Sequence, residues 1–322
     1  MQRRKFLTLA GATLASTPLV SLSSHASTWP EKPVKLIVPY APGGASDLLA
    51  RPWAELLGKA FNQQFIVENR GGASGMIGTE AAYKAAPDGY TLLFTPNATM
   101  TVLPNLRKTP YDPAKFEPVA RTGDLICGFV IHPSVGVKTF KEMIDYAKKN
   151  PGKLIYGSAG LGTATQLRLE AMKFRAGIDI LHVPYRGSAD ALNDLLPGTV
   201  HMMNEINVLP HVKAGKLILL NINHDTRHPD FPDTPTLTEA GVPDADVPIW
   251  YSLWGPPGMP KEIAATLNAK ITEIASTPEM KARMQSLNTA VPIQTPGAVR
   301  DHLIKDTAAN AAIIKAANIK LE

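Results

Sequence analysis

One unit occurs twice in this chain and limits what the chain can fold into: a short apolar run, a glycine-rich turn, then a helical pattern. The first copy is Val34-Lys35-Leu36-Ile37-Val38-Pro39, followed by Ala41-Pro42-Gly43-Gly44-Ala45-Ser46-Asp47 and a helical pattern to Phe61. The second is Lys153-Leu154-Ile155-Tyr156, then Gly157 to Thr163 and a helix through Leu167 and Met172, about 120 residues later. Strand–helix–strand order also continues between and beyond them. That order predicts α/β architecture, with largely parallel sheets and helices on both faces. A length of 322 residues suits two such domains, each holding one copy. Two units facing each other would aim two helix N-termini into one cleft.

The local signals support this parsing. Phe65-Ile66-Val67 and Leu92-Leu93-Phe94 read as strands, with a helix near Ile77 to Ala86 ended by Pro87-Asp88-Gly89. Thr139-Phe140-Lys141-Glu142 has the form of a capping box, and Asn150-Pro151-Gly152 stops the helix it starts. Pro260, Pro278 and Pro296 each fit the first position of a helix, where a missing N–H is harmless, and Thr277 and Thr295 fit caps. Ile263, Leu267, Ile271 and Ile274 form a buried face. Pro52 conflicts with the pattern: in a helix beginning near Ser46 it is an interior proline, costing about 3 kcal/mol, so the helix either starts later or is kinked.

Helix N-termini carry unpaired N–H groups and partial positive charge, and therefore attract anions. The two turns add the hydroxyls of Ser46, Ser158 and Thr163, and neither contains Lys or Arg. A carboxylate suits loops of this size. Each loop alone is better explained as a bend from strand to helix; the pair favours binding. Phosphate chemistry lacks its motif, because no Gly-Lys-Ser/Thr follows either loop. Gly160-Leu161-Gly162-Thr163 begins like a dinucleotide fingerprint, with Asp179 near the ribose-acid position, but its third glycine is replaced. No Gly-x-Ser-x-Gly elbow occurs. The histidines are scattered, and His201 and Glu205, four apart around a strand-like stretch, do not make a metal pair. Cys127 is the only cysteine, which excludes an internal disulfide or a cysteine zinc site; its apolar run Leu125 to Ile131 reads as a strand with a small buried hydrophobe. The run Trp250-Tyr251-Ser252-Leu253-Trp254 suits hinge packing and the cleft wall together.

The N-terminus reads as an export signal. Arg3-Arg4-Lys5 precede an apolar stretch from Phe6 to Val20, and Ser24-His25-Ala26 has the small–x–small form of a cleavage site. The arginine pair fits twin-arginine export as well as the general route. Removing residues 1–26 lowers the net charge from +5 to +2, with 30 basic against 28 acidic residues. Such a balanced chain lacks the electrostatic footprint of nucleic-acid binding.

Trp29-Pro30-x-Lys32-Pro33 and Leu36-Ile37-Val38-Pro39-Tyr40-x-Pro42-Gly43-Gly44-x-x-Asp47 resemble the opening of Bug-family proteins, the extracytoplasmic receptors of tripartite tricarboxylate transporters. The likeness continues through Val67-Glu68-Asn69-Arg70-x-Gly72-Ala73-x-Gly75, Gly157-Ser158-Ala159-Gly160-x-Gly162-Thr163 and Val183-Pro184-Tyr185-Arg186-Gly187. It implies a two-domain periplasmic-binding-protein fold of type II kind, with a ligand cleft between the domains. Domain 1 would take residues 29–125 and 251–322, and domain 2 residues 126–250. The resemblance places one ligand carboxylate against Tyr40, Pro42, Gly43, Gly44, Ala45, Ser46 and Asp47, and against Ser158, Ala159, Gly160 and Thr163. It places the ligand's far end near Tyr185, Arg186, Gly187, Ser188, Ala189 and Asp190, with Glu205 as a further candidate. Tyr40, Tyr185 and Trp250 would suit an aromatic ring. Gln166 stands where many relatives have histidine, and Asn204-Glu205 where many have Phe-Asp, so no relative's ligand is carried over.

The expected protein is a periplasmic, monomeric receptor for a small aliphatic or aromatic carboxylate, delivering it to integral-membrane transporter subunits. No cofactor, metal, nucleic acid or catalysis is expected. The alternatives are a sensor feeding a signalling receptor, or an enzyme on the same fold, for which no nucleophile–base pair is evident.

Overall fold

The computed structural model describes residues 29–224, 226–242 and 247–320. The predicted export signal lies outside them. In chain order the strands are β1 (Val34–Val38), β2 (Phe65–Asn69), β3 (Thr91–Pro96), β4 (Glu117–Leu125), β5 (Val130–Ile131), β6 (Ile155–Ser158), β7 (Leu181–Pro184), β8 (Met202–Met203), β9 (Ile218–Leu219), β10 (Trp250–Gly255) and β11 (Thr289–Ala290). The α-helices are α1 (Ala45–Phe61), α2 (Met76–Tyr83), α3 (Leu103–Leu106), α4 (Phe140–Lys149), α5 (Ala164–Ala176), α6 (Ser188–Leu195), α7 (Leu209–Lys213), α8 (Lys261–Ser276), α9 (Pro278–Ser286) and α10 (Pro296–Ala316).

The strands form two sheets, ordered β11-β4-β10-β3-β1-β2 and β7-β6-β8-β5-β9. They are mixed, which corrects the expectation of largely parallel pairing. β1 pairs parallel with β2 and β3, and β6 with β7 and β8; pairs made by β4, β5, β9, β10 and β11 are antiparallel. The reason lies in the chain path. It leaves the first sheet after β4 and returns to it at β10, so each sheet receives strands that do not arise from a β-α-β crossover.

Both faces of the first sheet are covered. Leu36, Val38, Leu92, Phe94, Tyr251 and Leu253 pack on one side with α1 and α8. Ile37, Leu93, Trp250 and Trp254 pack on the other with Val299 and Leu303 of α10. This two-sided burial explains why these strands read as continuous apolar runs. The second sheet is flanked likewise, by α4 and α5 on one side and α6 on the other. The first cluster also takes in Cys127, Leu167, Ile206 and Ile249, so one apolar body joins the two lobes.

The helix signals mostly hold. The capping box at Thr139 and Glu142 is complete, and Thr277 and Thr295 cap helices whose first residues are Pro278 and Pro296. Pro260 instead occupies the cap position itself, one residue earlier than expected. Leu267, Ile271 and Ile274 are buried, with Ile263 at the edge. The Pro52 conflict resolves in favour of a helix that starts at Ala45 and runs through the proline to Phe61. Proline leaves the Leu48 carbonyl without its usual intrahelical donor, but Leu49, Trp53 and Leu57 are almost fully buried, and the Trp53 indole donates to the Thr122 carbonyl at 3.0 Å. At about 1.5–3 kcal/mol per buried large side chain, this packing outweighs the proline.

The stretch around Cys127 is a crossover and not one strand. β4 ends at Leu125 in the first sheet, and β5 begins at Val130 in the second. Cys127 is buried, but its thiol lies 3.2 Å from Asn204 Oδ1 and accepts from Arg168 Nη1 at 3.2 Å, so it belongs to a polar junction. The returning crossover runs alongside: Leu125 N–H donates to the Ile249 carbonyl at 2.9 Å.

Candidate functional site

β1 and β6 each end in a turn that feeds a helix, and both turns face the space between the lobes. In the first turn Gly43 adopts φ +76°, a left-handed conformation that favours glycine. Asp47 then folds back. Its Oδ2 accepts from the Gly43 N–H at 3.0 Å and from Arg51 Nε at 2.9 Å. Burial alone would raise the Asp47 carboxyl, but the bonds from Arg51 and Gly43 outweigh it and hold the group below its ordinary range. The second turn is tied more heavily. Thr163 caps α5 by accepting from Gln166 N–H, Gln166 Oε1 accepts from Gly162 N–H, and Thr163 Oγ1 donates to the Gly160 carbonyl at 2.7 Å.

An inner cavity lies where these turns meet, with about 460 Å³ of unfilled space, mouth included. The lobes close over it, and the space is a slot between them. From the first lobe it is lined by Tyr40, Ala41, Gly44, Ala45 and Ser46, by Pro96 and Ala98 after β3, and by Ile249 and Tyr251. From the second lobe come Ala159, Thr163, Ala164 and Thr165, then Gly187, Ser188 and Ala189 at the start of α6, and Glu205. Three helix N-termini thus converge, those of α1, α5 and α6. Neither Gly44 nor Gly187 caps its helix with a side chain; of the α1 first turn, Ala45 N–H goes to Ser188 Oγ across the slot, and the remaining first-turn N–H groups of α1 and α6 have no side-chain cap. Among the described residues no Lys, Arg or His lines this space.

The lobes touch across the slot. Ala45 N–H donates to Ser188 Oγ at 3.2 Å, and Asn207 Nδ2 holds the Ser188 carbonyl at 3.1 Å. Within the first lobe, the Ser46 hydroxyl donates to the Tyr251 phenol at 3.3 Å. A wider outer cavity shares Ala41 and Ala159 with the slot and adds Pro42, Asn69, Ser74, Gly160, Tyr185 and Arg186.

Glu205 is the one acidic group among the described residues lining the slot. It is 5% exposed, and its Oε2 has no hydrogen-bond partner. Burial pushes its carboxyl up to about 8, with the Arg168 charge opposing.

The candidate list from the sequence therefore divides. Tyr40, Gly44, Ala45, Ser46, Ala159, Thr163, Gly187, Ser188, Ala189 and Glu205 meet in the slot. Pro42, Gly160, Tyr185 and Arg186 line the outer cavity. Tyr185 donates to Asp194 at 2.6 Å, and burial together with that carboxylate raises its phenol to about 12. Gly43, Asp47, Ser158 and Asp190 line neither space. Gly43 and Asp47 shape the turn; Asp190 faces solvent on α6. Ser158 is fully buried behind its loop, with Oγ 2.6 Å from His182 Nε2 and accepting from Gly160 N–H at 3.1 Å. Burial lowers His182 to about 4, so it meets Ser158 as a neutral ring at neutral pH.

Trp250 does not line the cleft. It faces the opposite side of the sheet, where its indole donates to Asp306 Oδ2 at 3.2 Å, while the neighbouring Tyr251 faces the slot. Alternation along a strand forces this choice, and the run Trp250-Tyr251 could have signalled it. Ala41, Ala98, Thr165 and Ile249 were also missed. Ala41, Ala98 and Thr165 are small, and Ile249 reads as an ordinary core residue, so none carries a binding signal in the sequence.

Residues 49–319 match the family described as the tripartite tricarboxylate transporter family receptor. The chain belongs to that family. Among solved structures, "R. palustris Rpa4515 with adipate" is 31% identical, with a TM-score of 0.87 over 91% of this chain and 99% of that one. The periplasmic binding protein BugD is 31% identical, with a TM-score of 0.86 over 91% and 100%. MatC (Rpa3494) from Rhodopseudomonas palustris with bound malate is 28% identical, with a TM-score of 0.84 over 89% and 100%. The Bug-family resemblance and the two-lobed α/β receptor fold are thereby established for this chain. Among the described residues no helix is long and apolar enough to cross a membrane.

Proposed function

We propose that this receptor captures a slender organic dicarboxylate in the slot between its lobes and presents it to the membrane subunits of a tripartite transporter. The observation that carries this reading is the convergence of the α1, α5 and α6 N-termini on a space with no cationic side chain among its described lining residues. Such a site binds negative charge through N–H groups and hydroxyls, aided by helix dipoles, which stabilise anions by about 0.3–1 kcal/mol each and more when partly buried. The adipate and malate named for two relatives are both flexible aliphatic dicarboxylates.

The candidate contacts are Tyr40, Gly44, Ala45 and Ser46 of one lobe, and Ala159, Thr163, Gly187, Ser188, Ala189 and Glu205 of the other. A lobe boundary at 125/126 fits the first crossover, and the return falls just before Trp250, which opens β10 in the first sheet, one residue earlier than 250/251; these two adjacent crossovers serve as the hinge. The protein acts in the periplasm as a monomer and performs no catalysis. The family's role and the N-terminal export pattern support the periplasmic receptor reading. Titration calorimetry with adipate and malate against their diamides tests the reading. The acids are expected to bind at one site per chain and the diamides not. A ligand at 100 times its dissociation constant adds about 2.7 kcal/mol of stability, visible as a thermal shift. Equal binding of acid and diamide would overturn anion capture.

A further inference from the structure

Glu205 sits where a receptor for anions should place no second negative charge. Its carboxyl is 95% buried, it borders the slot that three helix N-termini enter, and Oε2 meets no donor. Buried polar groups left without partners in a finished fold call for an explanation, and the slot supplies one.

We propose that Glu205 engages the ligand as a neutral carboxyl, donating its proton in a hydrogen bond to a ligand carboxylate oxygen, so that the bound anion is always held together with that proton. This deepens the dicarboxylate reading and rests on it. The geometry leaves two ways to satisfy Glu205: as a donor to an anion, or as a carboxylate paired with a cation on the ligand. The surroundings favour the first. The phenols of Tyr40, Tyr156 and Tyr251 lie within electrostatic reach and are all themselves raised by burial first and by Glu205 in addition. The nearby cation, Arg168 on α5, is already engaged: its Nη1 donates to Asn204 Oδ1 at 2.6 Å and its Nε to the Val247 carbonyl at 2.9 Å. The Cys127 thiol faces Asn204, the residue before Glu205. Burial holds Glu205 up to about 8 already, and an anion a few ångströms away raises it further. A neutral Glu205 also defines a class. It accepts plain or hydroxylated dicarboxylates and disfavours amino dicarboxylates, whose ammonium would require its ionised form.

The sign of the linkage follows. Below pH 8 the proton is already in place, and affinity is flat. Above pH 8 binding must take up a proton, and affinity falls by up to tenfold per pH unit. The test is calorimetric titration with adipate, malate and aspartate between pH 6.5 and 9.5, on the full mature chain. For the preferred plain acid, the wild-type dissociation constant should rise at least tenfold from pH 7 to 9.5. In Glu205→Gln it should change less than twofold over that range, and in Glu205→Leu it should be at least tenfold weaker at pH 7. Tyr185, raised to about 12, and His182, lowered to about 4, do not titrate in this window. Cys127→Ala must keep the wild-type slope, which separates the thiol from the carboxyl. A flat wild-type profile, a Gln variant with the wild-type slope, or aspartate binding that strengthens up to pH 8 and is lost in Glu205→Gln would each overturn the proposal. Failure of every acid to bind folded wild-type protein at any pH would overturn the dicarboxylate reading itself, and this inference with it.

Discussion

The two glycine turns share one motif and use it differently. The turn before α1 ends in Gly44, which offers its helix no side-chain cap, and Gly44, Ala45 and Ser46 line the slot. The turn before α5 ends in Thr163, whose hydroxyl satisfies Gln166 N–H, while Gln166 satisfies Gly162 N–H. The first turn keeps donors available, and the second consumes them in its own framework. In the second lobe the free donors come instead from α6, which begins at Gly187 without a side-chain cap. The lesson is that a strand–glycine–helix unit indicates a place where an anion could sit. Whether it does depends on the cap, since a capped first turn has less to give.

The sharpest way to break this comparison is to fill the first turn. A Cβ on Gly44 would lie 3.2 Å from Ser188 Oγ and 3.5 Å from the Ala41 carbonyl, at an ordinary negative φ of −79°. A short side chain there is tolerated by the backbone, but a long one enters the contact between the lobes. Gly44→Leu is expected to weaken dicarboxylate affinity at least 100-fold, about 2.7 kcal/mol. The melting temperature should stay within a few degrees. Gly162 has φ +73°, so Gly162→Ala should do the reverse: it strains the turn by about 1 kcal/mol while changing affinity far less. Calorimetry and thermal melts on both variants decide it. Comparable affinity losses in the two would mean that the turns are functionally alike.

The pH dependence of stability tests the slot without any ligand. Glu205 ionises near 4.5 in an ordinary setting but is held neutral in the fold up to about 8. Between those values the unfolded chain gives up a proton that the fold retains. Stability therefore falls as pH rises from about 4.5 through 8, by a ceiling on the order of 3–5 kcal/mol. Denaturant titrations of the ligand-free protein at pH 5 and 8 should show the loss, and Glu205→Gln should remove most of it. An unchanged slope in that variant would mean that Glu205 is ionised in the folded protein.

Much of this was legible in the sequence, and the limits are physical. The two units, their spacing and the capped helices follow from local rules, because Thr139, Thr277 and Thr295 act on their own next turn. The mixed sheets did not follow, since the direction of β10 beside β3 depends on where the chain re-enters the first sheet. Ser158 and Thr163 are both hydroxyl residues in the same turn. Only tertiary structure reveals that Ser158 turns back to His182 while Thr163 borders the slot. Pro52 showed the opposite failure: a correct local penalty was overridden by the burial of Leu49, Trp53 and Leu57. Glu205 was recognised as a candidate, but its protonation depends on burial by residues far away in sequence.

Removing the cap of the second turn measures how much of its role is framework. Thr163→Ala frees Gln166 N–H and is expected to cost about 1 kcal/mol, lowering the melting temperature by roughly 2–4 °C in a chain of this size. Affinity should fall by less than fivefold. A loss above 50-fold with an unchanged melting temperature would assign the Thr163 hydroxyl to the ligand.

The smallest expected effect separates closure from direct contact. Ser188 Oγ accepts from Ala45 N–H across the slot, a bond that can form only when the lobes meet. A hydrogen bond of this kind contributes about 0.5–1.5 kcal/mol net. Its loss in Ser188→Ala lowers the population of the closed form and leaves each lobe's own fold intact. The apparent dissociation constant rises as the binding-competent fraction falls, so a two- to tenfold weakening with no change in melting temperature is expected. The same substitution also releases Ala45 N–H at the head of α1. Should the ligand then bind more tightly, Ser188 is a competitor for that donor rather than a latch. The first turn would then be offering one N–H fewer to the ligand than its uncapped helix suggests.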